Sequence, residues 1–319
     1  MSLFGLVQPE LNAVDRLIRE VLTEEDPMVQ RVADYLQQAP GKRVRPGLVL
    51  LGGHAARPKP ETGRLVPIAA AVELIHLATL VHDDIIDRAE TRRGQPALYR
   101  AFNEQVAVLT GDFLFARAFQ LLAGTGHPEV VAAAADVVHT MCVGEIRQNL
   151  DHGRVATEAE YLRRIDAKTA QFLATSCRLG ALAVDAPPAV REALTTYGWH
   201  VGMAYQLVDD LLDVVADPVR LGKAVAADFQ QGVITLPVLY GLERVPEPAA
   251  LAQALAEAQD PRRHAEAVRL LEQSGALDDV RALAERMAAE AVAALEPVPA
   301  GPAREALAVL ARFVVVRDF

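Results

Sequence analysis

The chain is poor in cysteine, aromatic side chains and lysine, and each shortage narrows what it can be. Its two cysteines, Cys142 and Cys177, lie far apart with no metal-site spacing. A disulfide framework is therefore not expected, and a reducing cytoplasm is the expected compartment. Aromatics make up 5% of the 319 residues although 51% of the chain is apolar, so the apolar mass is mainly Ala, Leu and Val. The long tracts lack the Val/Ile/Thr alternation of strands, and Ala and Leu favour helix. A net charge of −10 argues against nucleic acid as the main partner. The opening MSLFGLVQPELNAVDRLIRE lacks a basic start followed by an apolar run, so no signal peptide is expected. The most apolar stretch, LVPIAAAVELIHLATLV at 65–81, is interrupted by Glu73 and His76 and reads as too short and too polar for a membrane span.

Lysine is the scarcest cation. Against 28 arginines there are four lysines, Lys42, Lys59, Lys168 and Lys223. In so arginine-biased a chain, a lysine marks a candidate position for a compact ammonium. Lys59, in the polar loop RPKPETG, reads as ordinary surface charge.

Pro, Gly and polar clusters punctuate the sequence at 57–63, 124–129, 185–189, 244–250, 259–263 and 296–302. Between them apolar residues recur three and four apart, as in LNAVDRLIREVL and VRLLEQSGALDDVRALAERMAAEAVAAL, the pattern of amphipathic helix. About a dozen helices and no convincing strand are expected. The connectors are short, so the expectation is an all-α, single-domain bundle of long helices over 1–319. Its core helices would span about 40–244, with a peripheral layer at 245–319. Central helices near 65–87, 104–123, 129–151, 157–182 and 190–214 are apolar on most faces, as helices surrounded by other helices are.

Two of these helices end in the same costly pattern. LVHDDIID carries Asp83, Asp84 and Asp87, and QLVDDLLD carries Asp209, Asp210 and Asp213 at identical spacing. Residues four apart share a helix face, so Asp83 points with Asp87 and Asp209 with Asp213. Carboxylates that close repel one another, and the C-terminal end of a helix disfavours anions. A metal or substrate offsets such costs, and all-oxygen donors suit Mg²⁺ together with phosphate oxygens and water. A solvated acidic helix end explains one such motif as well; two copies, each after an apolar helix, favour a metal site.

Cations complete the pattern. GKRVRP at 41–46 places Lys42, Arg43 and Arg45 in about one turn, Arg92 and Arg93 follow the first motif, Lys168 lies in DAKTAQF and Lys223 in RLGKAV. Singly, each is ordinary surface charge. Together with two acidic clusters over an apolar bundle, they suit a substrate with a diphosphate head and a hydrocarbon tail.

The segments GKRVRP (41–46), ELIHLATLVHDDIIDRAETRRGQPA (73–97), GDFLFARAF (111–119), KTAQF (168–172), YQLVDDLLD (205–213) and GK (222–223) resemble, in this order, the trans-isoprenyl diphosphate synthases, or polyprenyl synthetases. The resemblance implies the isoprenoid synthase fold, helices around a central cavity, usually in a homodimer. It implies that Asp83 and Asp87 bind two Mg²⁺ on an allylic diphosphate, farnesyl or geranylgeranyl, with Asp84 in support. Asp209 would bind a third ion, with Asp210 and Asp213 alongside. Arg92, Lys168 and Lys223 would hold that same diphosphate; Lys42, Arg45, His76 and Arg93 would hold isopentenyl diphosphate; Thr169 and Gln206 would line the reacting centre. Without the resemblance, His76 would read as a core histidine.

The resemblance also carries a ruler. In short-chain members a bulky aromatic about one turn before the first aspartate floors the cavity; here Ala78 and Thr79 stand there. A long-chain product of about seven to ten isoprene units is therefore implied. Phe113, Phe115 and Phe119 could set a deeper floor. After the second motif the chain departs from the family pattern: Ala226, Ala227 and Gln231 replace the usual Gly, Asp and Glu, and Val233 stands where a diphosphate-binding lysine is usual. Val233 keeps open a weakly catalytic or regulatory subunit of a heteromeric synthase. A terpene cyclase fits less well, because it needs neither GKRVRP nor Arg93.

Overall fold

A computed structural model describes residues 3–38, 41–57, 60, 62–150, 157–215, 226–230 and 232–316. Lys223 lies outside the described residues, as does the rest of 216–225. The fold is all-α. Its helices are α1 (Gln8–Val21), α2 (Pro27–Gln37), α3 (Val44–Ala56), α4 (Thr62–Ile86), α5 (Leu98–Ala101), α6 (Glu104–Gly124), α7 (Pro128–Leu150), α8 (Glu158–Ile165), α9 (Gln171–Ala183) and α10 (Pro188–Val215). There follow α11 (Ala227–Gln230), α12 (Leu236–Arg244), α13 (Pro248–Ala256), α14 (Pro261–Gln273), α15 (Ala276–Ala294) and α16 (Pro302–Val316).

Local chemistry sets many of these ends. Asp26 accepts the Met28 and Val29 amides and Pro27 opens α2; Asn103 accepts the Val106 amide at α6. Thr157 and Glu160 form a reciprocal capping box at α8, and Asp260 with Pro261 starts α14. In α1 the buried residues are Leu11, Val14 and Ile18, one stripe at helical spacing.

The chain forms two compact units. The first comprises Met1–Val138, Thr175–Thr195 and Glu296–Leu307. In it, α1, α3 and α6 pack on α4, whose residues from Ile68 to Ile75 are all buried. Backbones approach where α3 meets the Thr175–Ala183 part of α9: a Cβ on Gly180 would lie 2.0 Å from the Val49 carbonyl oxygen, and one on Gly52 would lie 2.8 Å from that of Cys177. The second unit comprises His139–Ala174, Thr196–Leu295 and Ala308–Phe319. Its core gathers Tyr161, Leu207, Leu211, Val238, Leu251, Leu271 and Val280.

Three expectations need correction. The run VRLLEQSGALDDVRALAERMAAEAVAAL is two helices, because Gly275 at φ 72° turns the chain between α14 and α15. A short antiparallel pair, Thr91–Arg92 with Gln95–Pro96, follows the first acidic motif where no strand was expected. The apolar stretch at 65–81 belongs to a longer helix: Gly63–Ile86 and Glu104–Gly124 are both long and apolar enough to cross a membrane by length and composition. Its length therefore does not exclude a span, although 61% of the most apolar window of Gly63–Ile86 is buried within the protein, where α4 packs on α6.

The glycine contact gives a clean stability test. Gly180→Ala is expected to cost about 1–3 kcal/mol, because the new methyl meets fixed backbone. Gly124→Ala, at a helical position with open space around the new atom, is expected to be neutral or to gain about 0.5 kcal/mol. Urea unfolding curves check both; equal midpoints would contradict the contact.

Candidate active site

The first acidic motif closes α4. The Asp87 amide donates to the Asp83 carbonyl at 2.8 Å and the Ala89 amide to that of Asp84 at 2.9 Å. Arg88, at φ 51°, then takes the left-handed conformation that ends the helix without a glycine. Side-chain burial divides the motif: Asp84 is buried, Asp83 half-buried and Asp87 exposed. From Ile68 to Val81 the only residues not fully buried are His76, Thr79 and Leu80. His76, Thr79, Asp83 and Asp87 follow one another at three- and four-residue steps, so the accessible side of α4 runs back from the carboxylates. Ala78 is fully buried, and the Thr79 hydroxyl donates to the His76 carbonyl at 2.8 Å.

A hairpin answers Asp84. Arg93 and Gly94, both at positive φ, form its two-residue turn, which fits the twist of paired strands. Arg92, on the first strand, donates from Nε to Asp84 Oδ1 at 2.8 Å and from Nη2 to the same oxygen. The Tyr35 hydroxyl donates to the Pro96 carbonyl at 2.7 Å, tying the hairpin to α2. Behind the pair lies a cavity of about 60 Å³, lined among others by Leu77, Val81, Asp84 and Arg92. At the turn, Arg93 lies against Gly41, whose added Cβ would sit 2.6 Å from Arg93 Nη2.

The hairpin thus brings Arg93 to the GKRVRP segment. Arg45 Nη1 lies 3.1 Å from His76 Nε2. Burial, and then Arg45, Arg93, Arg92 and Arg43, lower the His76 pKa well below its usual value, so the ring is neutral and its Nε2 accepts from Arg45. Burial also lowers the Arg93 pKa; Glu73 opposes this, while Arg43 and Arg92 add to it. Cations that crowd one another in this way suit an anionic ligand. Arg43 plays another part: it pairs with Asp15 at 2.8 Å and with the buried Glu73 on α4. It neutralises a core carboxylate.

The second motif lies on α10 and repeats the division. Asp210 is buried, while Asp209 and Asp213 are half-buried. Asp210 accepts from the Tyr161 hydroxyl at 2.7 Å and from Gln206 Nε2 at 2.8 Å. Gln206 Oε1 in turn accepts from the Thr169 hydroxyl at 2.8 Å. Burial pushes the Asp210 carboxyl up to about 7; the bonds from Tyr161 and Gln206 pull it down, and the Asp228 charge adds to the rise. Burial and the Asp210 charge hold the Tyr161 phenol well above its ordinary value, so it stays a donor. Arg164, over the Tyr161 ring at 5.4 Å, donates to the Ile234 carbonyl at 2.9 Å, beside Val233.

Lys168 and Thr169 sit in a π-helical turn, Asp166–Ala170, closed by the Gln171 amide on the Asp166 carbonyl. Such turns recur at functional sites. Thr169 is buried; the Lys168 side chain is 45% exposed, with Nζ 3.8 Å from Glu145 Oε2.

Of the residues singled out in the sequence, Arg45, His76, Arg92 and Arg93 are brought together with the end of α4, as are Thr169, Gln206 and Asp210 with one another. Asp84 and Asp210, expected beside the principal ligands Asp83, Asp87 and Asp209, point inward onto protein donors, and Arg92, expected on the diphosphate, is engaged by Asp84. Among the described residues, no three His, Cys, Asp or Glu side chains form a ready-made metal group. The outward carboxylates Asp83 and Asp87, and Asp209 and Asp213, supply oxygen donors of the kind that suits a hydrated divalent ion shared with a diphosphate. The sequence reading missed Tyr161, Arg164, Asp166 and Trp199. Tyr161 carries a hydroxyl that needs a partner once its ring is buried, as it is here.

The polyprenyl synthetase family profile matches residues 26–273. A heptaprenyl diphosphate synthase component 2 from Geobacillus stearothermophilus is 37% identical, covering 100% of this chain and 99% of the relative. A short chain isoprenyl diphosphate synthase from Methanothermobacter thermautotrophicus is 38% identical, again covering 100% of this chain and 99% of the relative. Among solved structures, a polyprenyl synthase from Caulobacter crescentus, complexed with calcium and isoprenyl diphosphate, superposes with a TM-score of 0.90 at 35% identity, covering 99% of this chain and 97% of that one. The chain therefore belongs to the polyprenyl synthetase family of trans-isoprenyl diphosphate synthases, and is a prenyltransferase.

Proposed function

We propose that the chain makes a long-chain, all-trans polyprenyl diphosphate, a quinone side-chain precursor, by repeated addition of isopentenyl diphosphate to an allylic diphosphate such as farnesyl or geranylgeranyl diphosphate. The observation that carries the length is the small side chain of Ala78 beside the accessible Thr79, one turn before Asp83. The similarity to proteins named for both short-chain and heptaprenyl products leaves length to the local side chains, and no aromatic stands at Ala78 or Thr79.

In this reading the whole chain works as one catalytic domain in a homodimer. Asp83 and Asp87 hold Mg²⁺ on the allylic diphosphate and Asp209 holds a further ion, about three in all, with Asp213 beside it. Bound Mg²⁺ supplies charge stabilisation for the leaving diphosphate. Lys168 meets the same diphosphate as a compact cation, joined by Lys223 and, when Asp84 shares it, by Arg92. Lys42, Arg45 and Arg93 hold isopentenyl diphosphate, and neutral His76 orients Arg45. Gln206 holds Thr169 at the reacting centre. Ionisation of the allylic C–O bond leaves a carbocation; the isopentenyl double bond attacks it and a proton leaves with the diphosphate. Apolar walls keep out the water that would quench the cation.

A second reading rests on Val233, half-buried and uncharged, and on the similarity to a protein named as one component of a synthase. There the chain would need a partner subunit for full activity. Purified chain incubated alone with Mg²⁺, farnesyl diphosphate and labelled isopentenyl diphosphate separates the two. Label in long allylic products supports the first reading; label only after a partner is added supports the second.

Three outcomes are expected. Asp83→Ala and Asp209→Ala should each lower kcat by about 10³-fold, since several kcal/mol of charge stabilisation is at stake; activity near wild type would remove these residues from the metal set. Ala78→Phe should shorten the product and cost about 1–3 kcal/mol of stability, because the site is filled; Thr79→Phe, on the accessible face, should shorten it at less cost. Products as long as those of wild type from both would refute the ruler. The third concerns pH. His76 has a lowered pKa in the fold, so below about 6.5 the unfolded chain binds the extra proton and stability falls as pH drops. Thermal melts at pH 7 and pH 5 should show a smaller drop for His76→Gln than for wild type; an unchanged drop would mean that His76 is not the group responsible.

A further inference from the structure

The π-helical turn Asp166–Ala170 is gripped on several sides within the second unit. Ala167 faces Gly144, where an added Cβ would come within 2.7 Å of the Ala167 Cβ. Ala170 faces Gly202, whose added Cβ would lie 2.5 Å from the Ala170 Cα. Thr169 is held by Gln206. Asp166 Oδ1 accepts both from the Trp199 indole Nε1 at 2.6 Å and from Gln171 Nε2 at 2.8 Å. Of the five residues, Lys168 alone is exposed. The Asp166 contacts differ from the rest, because they are directional. One carboxylate oxygen joins the first residue of the turn to α10 and to the first residue of α9, so it sets the rotation of the segment between them.

We propose that Asp166, through the Trp199 and Gln171 hydrogen bonds, is a positioning residue that fixes the turn carrying Lys168 and Thr169. The proposal rests on the reading that Lys168 binds the allylic diphosphate. A π-turn replaces the i→i−4 hydrogen bonds of an α-helix by i→i−5 ones, and neighbouring α-helical arrangements are open to it. A charge-assisted bond from a rigid indole selects one of them. Lys168 reaches its ligand from a backbone held in register, so a small displacement costs it dearly.

Trp199→Phe deletes the N–H and keeps most of the ring. It and Asp166→Ala should raise KM for the allylic diphosphate about tenfold with melting temperatures near that of wild type. Asp166→Asn, which keeps an acceptor oxygen, should restore most of the loss. In a Lys168→Ala background the Asp166→Ala effect on KM should vanish, because coupled sites are not additive. Hydrogen exchange supplies a readout independent of activity: the amides of 167–171 should exchange faster in Trp199→Phe and Asp166→Ala. Wild-type KM and exchange in both variants would overturn the proposal, as would an Asp166→Ala effect undiminished without Lys168. If the unaltered protein makes no prenyl product, the functional reading fails instead, and exchange alone decides the clamp.

Discussion

A carboxylate at the C-terminal end of a buried helix is opposed by desolvation, by the helix dipole and by its neighbours of like charge. The protein carries this cost at the end of α4 and again in α10, and relieves it the same way each time. The middle aspartate turns inward to protein donors, and the two at spacing four stay at the accessible side. Much of both local structures hangs on that inward turn. Asp84 binds Arg92, which fixes the first strand of the hairpin; the hairpin delivers Arg93 to Gly41. Asp210 holds Gln206, which holds Thr169. The inward residues build the frame, and the outward ones stay more accessible. The two differ in one respect. Asp84 has a cation for a partner; Asp210 has neutral donors, so burial pushes its carboxyl up to about 7.

The sequence made the helices and both acidic ends legible, because apolar spacing and carboxylate spacing are local. Helices expected near 104–123 and 190–214 run Glu104–Gly124 and Pro188–Val215. What it concealed depends on partners far along the chain. Arg43 reads like Arg45 in GKRVRP, yet Arg43 answers Glu73 thirty residues away while Arg45 meets His76. Helical spacing sets Asp84 and Asp210 apart from the other four aspartates, but only packing against Arg92 and Tyr161 shows that this pair turns inward. Gly275 looks like a tolerated glycine in a long helical run, and its positive φ is what divides that run. The hairpin was missed because two strands of two residues carry no periodicity.

Small residues place the π-helical turn Asp166–Ala170. Gly198 and Gly202 let backbone meet backbone around residues 170–174, and Gly144 makes room for the Ala167 methyl; a side chain at any of the three would collide. Such contacts fix how far apart helices lie, but they leave rotation poorly determined, because smooth surfaces slide. Directional hydrogen bonds, from Trp199 and Gln171 to Asp166 and from Thr169 to Gln206, supply what the glycines cannot. Distance comes from the absence of side chains and orientation from a few polar ones.

The cations obey a similar economy. Overall the chain is negative, which at long range repels a diphosphate. Screening confines that effect to about 10 Å at ordinary ionic strength. Within that distance what counts is the group around His76, where Arg43, Arg45, Arg92 and Arg93 all depress its pKa. Glu73 compensates Arg43 and Asp84 compensates Arg92, and a neutral imidazole accepts from Arg45. The ring therefore holds Arg45 in place without cancelling its charge, which a carboxylate in the same position would do. A histidine kept neutral by burial and by its cationic neighbours orients an arginine without adding an opposite charge of its own.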